Sequence, residues 1–424
     1  MFNRSFQTSS FQRSTSNFDL PVQDRPTSNY EWTGRKIDYR IKYLRQIFDK
    51  QAGGRSTLKA GMIGLPGVGK TTLFNALTHG EAPTTEFGVS RREANIGSIA
   101  VPDPRFDRIV EVYHPKKVSP ATIEVIDGAA PIGVDMQKDK FGTDFFTGIR
   151  AVDALIHVVR AFESPSAPLP ENGLDPLRDV RKVNDELTLA DLTLVDTRLE
   201  RIEKGLRNKK VTPGTPQTFE RDLMLKIQEH LMADKPLKTL DLSADESKMI
   251  RSFDFLTLKP MIIVANLGED HTAESDAKLL DGLRAYCVEE GLELVELVAS
   301  VEAEVSQLSE AEEQEFLAAM GISEPARNRV VQSAYRALGF ISFFTAGEDE
   351  VKAWTICRGD KAVEAAGKIH SDLARGFIRA EIVSYADFDA KGSFEAAKAA
   401  GLMRLEVKDY VMQDGDIMVV RFKV

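Results

Sequence analysis

The sequence predicts an α/β protein: a doubly wound, mostly parallel sheet with a helical hairpin inserted into it and an α+β domain after it. Short apolar runs alternate with helical stretches from residue 58 to about 165, a pattern typical of parallel strands joined by helices. A long segment of helical periodicity then precedes the last apolar run. After Gly339 the pattern changes to short alternating strands and small-residue helices. Together these three observations predict the architecture.

Four apolar runs are the predicted strands of the first sheet. Their nearly continuous apolar character suits strands that are buried on both faces. They cover residues 61–64, 121–126, 154–159 and 259–265.

The predicted insert consists of two antiparallel helices. Apolar residues keep helical spacing within 179–207, and after a Pro- and Gly-containing break at 212–216 they resume it from Phe219 to Leu231. Ser243 and Glu246 have the spacing of a capping box, which predicts a further helix start. In the last domain, residues 414–416 read Asp-Gly-Asp and indicate a hairpin turn.

Length and composition indicate an ordinary globular chain of several domains. Its 424 residues, 42% of them hydrophobic and 28% charged, exceed one domain and argue against a wholly disordered chain. Two cysteines cannot form a disulfide framework. Because no uncharged apolar run reaches the ~18 residues of a membrane span and the N-terminus lacks a secretory signal, we predict a soluble, cytoplasmic protein.

The charge is polarised along the chain. The net charge is −10, yet residues 1–60 hold 11 basic and 5 acidic side chains. The first ~34 residues lack periodicity and predict a disordered tail, with a weaker likeness to an organellar transit peptide. Residues 35–48 predict a basic amphipathic helix, which either docks on the next domain or contacts RNA or a membrane surface.

The strongest chemical signal is a phosphate-binding loop. Residues 64–71, Gly-Leu-Pro-Gly-Val-Gly-Lys-Thr, fit G-x-x-x-x-G-K-[ST] between a predicted strand and a predicted helix. Glycines let backbone N–H groups wrap phosphate oxygens, while the helix start adds its positive dipole end. The alternative, a chance glycine-rich turn, has to account for the whole motif and for both flanks.

The loop predicts a set of binding residues. Lys70 is expected to reach the β and γ phosphates and is the catalytic candidate, and the Thr71 hydroxyl is expected to ligate Mg²⁺. Asp127, at the end of an apolar strand, is the second metal candidate; its alternative role is a helix cap or turn. The phosphate-contacting candidates are Gly64, Pro66, Gly67, Val68, Gly69, Lys70, Thr71 and Thr72.

These residues resemble the YchF subfamily of Obg-related P-loop NTPases over residues 60 to 424. The likeness also includes Val101–Asp107, His157–Arg160, Phe255–Pro260 and Gly376–Ala380. The resemblance implies a P-loop nucleotide domain interrupted by a helical hairpin, a C-terminal TGS (β-grasp-like) domain, ribosome association and slow ATPase activity. The domains would be 1–57 (tail and basic helix), 58–168 with 252–336 (nucleotide-binding), 169–251 (helical insert) and 337–424 (TGS).

The base-recognition motif favours adenine. The chain reads Asn266-Leu267-Gly268-Glu269, where guanine-specific relatives have Asn-Lys-x-Asp. Adenine offers no donor at N1, so losing the guanine-reading Asp removes hydrogen bonds that favour guanine. Residues 298–300, with Ala299 at their centre, are expected to complete the base pocket through backbone groups. We predict that ATP is preferred over GTP, although Glu269 has the chemistry to reach guanine.

The switch regions depart from the family. The position of the switch I threonine is Arg91, whose guanidinium cannot ligate a cation. The pivot glycine is Ala130, Pro131 follows it, and residues 135–140 lack most of the family's glycines. The family's loop histidine has no counterpart between residues 164 and 170. We therefore expect weak hydrolysis.

Two further residues have an ordinary and a functional interpretation. His157 lies inside an apolar strand, so a packed core histidine is favoured over a catalytic one. Cys357 also lies in a strand-like run, where core filling is favoured over redox sensing.

The combined hypothesis is a Mg²⁺-dependent purine-nucleotide-binding protein that prefers ATP, engages the ribosome or ribosomal RNA, and hydrolyses nucleotide weakly. Two alternatives stay open: an active YchF-like ATPase or GTPase, and a nucleotide-independent RNA or ribosome adaptor. We expect no DNA partner, no membrane span and a monomeric chain.

Overall fold

The computed structural model describes residues 58–80, 95–127, 143–164, 169, 172–207 and 214–423. The predictions for the tail and basic helix, for Arg91, for Ala130 and Pro131, and for residues 135–140 lie outside these residues.

The described residues form two sheets surrounded by helices. The strands are β1 (Leu58–Ile63), β2 (Asn95–Ala100), β3 (Lys117–Ser119), β4 (Thr122–Asp127), β5 (Ala154–Ala161), β6 (Met261–Leu267), β7 (Glu293–Leu297), β8 (Phe340–Thr345), β9 (Glu350–Cys357), β10 (Phe377–Ser384), β11 (Arg404–Glu406) and β12 (Asp416–Phe422). The helices are α1 (Lys70–Thr78), α2 (Pro104–Tyr113), α3 (Thr143–Arg150), α4 (Pro176–Leu206), α5 (Pro216–Met232), α6 (Ala244–Ile250), α7 (Ala273–Glu290), α8 (Ala299–Val305), α9 (Glu310–Met320), α10 (Ala326–Ala337), α11 (Ala362–Ile369), α12 (Ser371–Arg375), α13 (Tyr385–Lys391) and α14 (Phe394–Ala399).

The first sheet has the strand order β2-β4-β1-β5-β6-β7. All neighbouring strands are parallel except β2, which runs antiparallel to β4. This confirms the predicted doubly wound, mostly parallel sheet. The chain leaves β1 at Gly64, whose φ of 144° suits a glycine and starts the phosphate loop.

The four apolar runs lie on β1, β4, β5 and β6, with ends shifted by a few residues. The sequence interpretation missed β2 and β7, which form the two edges of the sheet. Every second residue of β2, Ile96 among them, is exposed, and the residues between are half-buried. Edge strands are short and partly polar, so they lack the long apolar run that marks a central strand.

The predicted helical pair lies between β5 and β6. Helix α4 begins after the N-cap Asp175, and α5 begins after the N-cap Thr215. Arg198 pairs with Glu220, while Asp196, earlier on α4, accepts from Gln228, later on α5. The two helices are therefore antiparallel, as predicted. Their shared core contains Val195, Leu199, Leu223, Ile227 and Leu231.

Helix α6 begins with the predicted capping box. The Ser243 hydroxyl accepts from the Glu246 N–H, and the Glu246 carboxylate accepts from the Ser243 N–H. Two otherwise unpaired donors at the helix start are thereby satisfied.

The second sheet has the strand order β11-β10-β12-β8-β9-β3. Residues 414–416 lead into β12, which pairs antiparallel with β10 and parallel with β8. The predicted hairpin at this turn was wrong, because β12 joins distant strands rather than the segment just before it.

Strand β3 joins this second sheet although it precedes β4 of the first one. It runs parallel to β9, with Val118 opposite Val351. Helix α2 also bridges the two sheets, since Phe106 lies 6.1 Å from Phe344 between ring centroids. One apolar core therefore continues from the first sheet into the second.

Within the part of the chain that the structure describes, no helix has both the length and the apolar character that crossing a membrane requires.

Candidate nucleotide-binding site

The phosphate loop connects β1 to α1 through three glycines in left-handed conformations. Gly64, Gly67 and Gly69 have φ values of 144°, 73° and 91°. A Cβ on Gly64 would lie 2.3 Å from the Val158 carbonyl oxygen, and a Cβ on Gly69 would lie 2.3 Å from Asn266 Nδ2. Glycine is thus required at both positions by backbone conformation and by lack of space.

The remaining loop residues divide between surface and core. Pro66 and Gly67 are exposed at the top of the loop, whereas the Val68 side chain packs into the apolar core. Thr71 and Thr72 lie in the first turn of α1 and are half-buried. The described loop therefore presents backbone and hydroxyl groups at its mouth while Val68 anchors it.

Lys70 is the first residue of α1, and its side chain folds over the loop. Its Nζ donates to the carbonyl oxygens of Gly64, at 3.1 Å, and Leu65, at 2.8 Å. Desolvation lowers the pKa of Lys70 to about 8, and the nearby carboxylate of Asp127 acts in the opposite direction. Lys70 therefore remains mostly protonated at neutral pH and carries positive charge into the loop.

Asp127 ends β4, whose pairing with β1 brings it to the same edge of the sheet as the loop. Its carboxylate is buried and faces the charge of Lys70. Thr71 and Asp127 offer a hydroxyl and a carboxylate oxygen, and Mg²⁺ prefers such hard ligands. The described residues hold no cluster of three or more His, Cys, Asp or Glu suited to a metal. Two protein oxygens with water and phosphate completing the shell is a common Mg²⁺ arrangement, and these residues fit it.

Asn266 joins the phosphate loop to the base loop. Its Nδ2 donates to the Val68 carbonyl oxygen at 3.0 Å, and its Oδ1 accepts from the Ala299 N–H at 2.9 Å. The side chain is buried near the end of β6. Because this single amide ties three chain segments together, the predicted site residues 64–72, 266–269 and 299 are assembled at one edge of the sheet.

The base loop itself follows β6. The Leu267 side chain is buried with Leu280 and Leu283, so the structure places it in the core. Glu269 is exposed, and its Oε1 accepts a hydrogen bond from Ser300 Oγ at 2.8 Å. The Ala299 N–H already donates to Asn266 and is thus used inside the protein.

Sequence reasoning missed Phe162, and it placed Ser300 in this site through its backbone rather than through its hydroxyl. Phe162 follows β5 directly, and a Cβ built on Gly268 would lie 3.4 Å from the Phe162 Cβ. The Arg160 guanidinium lies 5.0 Å from the Phe162 ring centroid. The position of Phe162 directly after β5 could have indicated it, because ligands of doubly wound sheets bind outside the carboxyl ends of the strands. No local pattern marked the contact between the Ser300 hydroxyl and Glu269.

His157 lies on β5 beside the loop and is fully buried. Among the residues that the structure describes, neither ring nitrogen has a hydrogen-bond partner. Desolvation, and secondarily the charge of Lys70, lowers the pKa of His157 to about 3. The neutral, packed ring agrees with the core interpretation. Cys357 is buried as well.

The fold and the loop define a P-loop nucleotide-binding protein. A family model described as "50S ribosome-binding GTPase" matches residues 59–198. A YchF C-terminal model, described as "Protein of unknown function (DUF933)", matches residues 340–423.

Curated relatives and a solved structure cover most of the chain. A protein of Bacillus subtilis (strain 168), named ribosome-binding ATPase YchF, is 39% identical over 368 residues, which are 87% of this chain and 100% of the relative. A protein of Haemophilus influenzae with the same name is 39% identical over 367 residues, 86% of this chain and 99% of the relative. The structure of the Schizosaccharomyces pombe YchF GTPase matches with 32% identity and a TM-score of 0.73, covering 87% of this chain and 98% of that one. The chain belongs to the YchF family.

Proposed function

We propose that this protein binds purine nucleotide together with Mg²⁺, prefers ATP to GTP, hydrolyses it slowly and associates with the ribosome. The observation that carries the proposal is the Asn266 amide, which links an intact phosphate loop to a base loop ending in Glu269. A binding site preorganised in this way needs little rearrangement to accept a ligand.

In the proposed complex, the phosphates lie on the backbone of residues 64–72 and against the Lys70 ammonium. Thr71 and Asp127 would hold Mg²⁺, which would neutralise phosphate charge. The base lies near Asn266, Leu267, Glu269 and Ala299, with the half-buried Phe162 ring as a further apolar surface. Lys70 is the residue proposed to stabilise charge during hydrolysis.

The preference for ATP is supported by the residues of the base loop. A carboxylate reads guanine by accepting from N1–H and from the 2-amino group, and adenine lacks both donors. In this chain the carboxylate belongs to Glu269, which is one methylene longer than Asp and is hydrogen-bonded to Ser300. That bond takes one lone pair of the carboxylate and constrains its orientation.

Association with the ribosome or ribosomal RNA is supported by the names of the two bacterial relatives. We propose that the region 337–424 acts as a TGS domain in that contact and that 169–251 forms the helical insert. Arg379 of β10 is exposed and is available to a partner. Co-sedimentation with ribosomes, with and without ATP, tests this part. Ribosome association that does not depend on nucleotide, and that is lost when residues 1–55 are deleted, would favour the alternative of a nucleotide-independent RNA or ribosome adaptor.

The nucleotide proposal is tested by calorimetry with ATP and GTP, each in the presence of Mg²⁺, followed by a steady-state phosphate-release assay. We expect both nucleotides to bind, ATP more tightly, and slow release that Lys70→Ala abolishes. Binding of neither nucleotide would refute the proposal. Equal background release by the wild type and the variant would leave a nucleotide-binding protein without turnover.

A further inference from the structure

The hydrogen bond between Ser300 and Glu269 connects two segments of the base pocket. Glu269 belongs to the loop after β6, and Ser300 is the second residue of α8. Ser300 Oγ donates to Glu269 Oε1 at 2.8 Å. The preceding residue, Ala299, is held by Asn266, which is itself held by the phosphate loop. Ser300 therefore follows a residue whose backbone is fixed to the phosphate loop through Asn266.

The Ser300 hydroxyl has no evident role in stabilising its own helix. The N-cap of α8 is Val298, and no side chain of the described residues caps this helix end. Within the described part of the chain, the hydrogen bond of the Ser300 hydroxyl goes to Glu269. A hydroxyl that donates to a carboxylate makes a charge-assisted bond, which is stronger than a neutral one.

The bond has opposite consequences for the two purines. Guanine presents N1–H and the 2-amino group side by side and binds a carboxylate through both oxygens. The Ser300 bond leaves Oε1 a second lone pair but fixes the orientation of the carboxylate, so guanine must turn the carboxylate from that orientation to make the two-point pair. Adenine presents a lone pair at N1, which an unrestrained carboxylate would repel, so a carboxylate held aside favours adenine.

We propose that Ser300 is a positioning residue for base selection, which acts by holding the Glu269 carboxylate away from the base edge and so favours ATP over GTP. This inference rests on the proposed nucleotide-binding function and adds to it a residue that selects the base.

The test is calorimetry on the full chain with Mg²⁺ and ATP, GTP or ITP. Ser300→Ala is expected to narrow the ratio of ATP affinity to GTP affinity about three- to tenfold, the effect of one hydrogen bond. ITP keeps N1–H but lacks the 2-amino group. The increase in ITP affinity in Ser300→Ala is therefore expected to be smaller than the increase in GTP affinity. Ser300→Thr keeps the hydroxyl and is expected to retain the wild-type ratio.

Two further variants separate positioning from a general effect on folding. Glu269→Ala removes the carboxylate that the Ser300 hydroxyl holds. In that background Ser300→Ala is expected to change nothing. Glu304→Gln, at an exposed position of the same helix, is the surface control and is expected to behave as wild type.

The experiment distinguishes failure of this inference from failure of the proposed nucleotide-binding function. In one outcome, the wild type binds nucleotide while Ser300→Ala leaves the ratio of ATP affinity to GTP affinity unchanged or increases it. That result overturns the inference and leaves the proposed function standing. A large loss of GTP affinity in Glu269→Ala overturns it too, because Glu269 would already be reading guanine. Failure of the wild type to bind any of the three nucleotides overturns both.

Discussion

At the residue scale, the phosphate loop depends on close contacts as much as on its sequence motif. Gly69 must be glycine because Asn266 Nδ2 occupies the space of a side chain there. Asn266 in turn connects Val68 with Ala299. We therefore expect substitutions at these positions to affect the proposed phosphate and base subsites together, although the residues lie far apart in sequence.

Asp127 provides a test of the metal assignment. Asp127→Asn keeps the size of the side chain and removes its charge, so we expect Mg²⁺-dependent nucleotide affinity to fall about tenfold or more, while affinity without Mg²⁺ changes little. Titrations with Mg²⁺ and with EDTA measure the difference. Glu124→Gln is the matched control, since it lies on the same strand in a partly exposed ion pair with Lys59. Equal losses in both variants would contradict the assignment.

At the element scale, a buried carboxylate fastens the helical insert to the first sheet. Asp191 of α4 is fully buried and accepts from the backbone N–H groups of Leu256 and Thr257 and from the Thr257 hydroxyl. It also accepts from the last residue of α3, Arg150, at 2.8 Å. These bonds compensate the cost of burying the charge.

Asp191→Asn is expected to destabilise the fold strongly. The amide would turn N–H groups towards donors and leave the Arg150 charge without its partner, at a cost of about 3 kcal/mol. Denaturant unfolding measures the change. Asp196→Asn, on the exposed side of the same helix, is expected to stay within about 0.5 kcal/mol of wild type. A mild effect at Asp191 would show that the insert is held mainly by apolar packing.

Lys259 gives the same region a pH dependence. Its Nζ donates to the carbonyl oxygens of Arg150 and Val152, and desolvation lowers the pKa of Lys259 to about 8. The charged form is therefore disfavoured in the folded state, and between pH 8 and about 10.5 the unfolded chain binds more protons. The free energy of unfolding should rise with pH across this window.

The comparison with Lys259→Met isolates that contribution from other titrating groups. From pH 8 to pH 10, we expect the free energy of unfolding of the wild type to increase by about 2 kcal/mol relative to the variant. Urea unfolding at several pH values measures it. A constant difference between the two proteins across the window would contradict the lowered pKa.

At the scale of the whole molecule, helix α2 and strand β3 join the two sheets into one body. Arg105 of α2 binds Asp103 and reaches Asp414, which precedes β12, at 3.0 Å. Its guanidinium also lies 5.7 Å from the Phe344 ring centroid on β8. Asp414 in turn accepts from the Ser342 N–H. Packing and polar contacts thus combine at the junction.

Arg105→Ala is expected to loosen the junction without unfolding either sheet. The loss of several hydrogen bonds should cost about 2 kcal/mol and accelerate hydrogen exchange of the β8 amides. Arg108→Ala, three residues further on the same helix, removes an exposed pair with Glu111 and Asp389 and is the control. Unchanged exchange in β8 would show that apolar packing and β3 alone hold the sheets together.

Much of the fold follows from local patterns in the sequence. The phosphate loop, the central strands, the two insert helices and the capping box at Ser243 all depend on residues close together in the chain. Edge strands β2 and β7 escaped prediction because their solvent-facing residues interrupt the apolar run. The predicted hairpin at 414–416 failed because a turn signal does not specify which strands will pair.

The sequence by itself determined which chemistry the chain carries, because the glycines, Lys70 and Thr71 act at fixed local spacing. The tertiary structure decided which distant residues contact one another. Ser300 meets Glu269 across 31 residues, Leu256 meets Asp191 across 65, and Arg105 meets Asp414 across 309. The physical reason is that such contacts depend on strand order and helix packing, which arise from the burial of apolar surface by the whole chain.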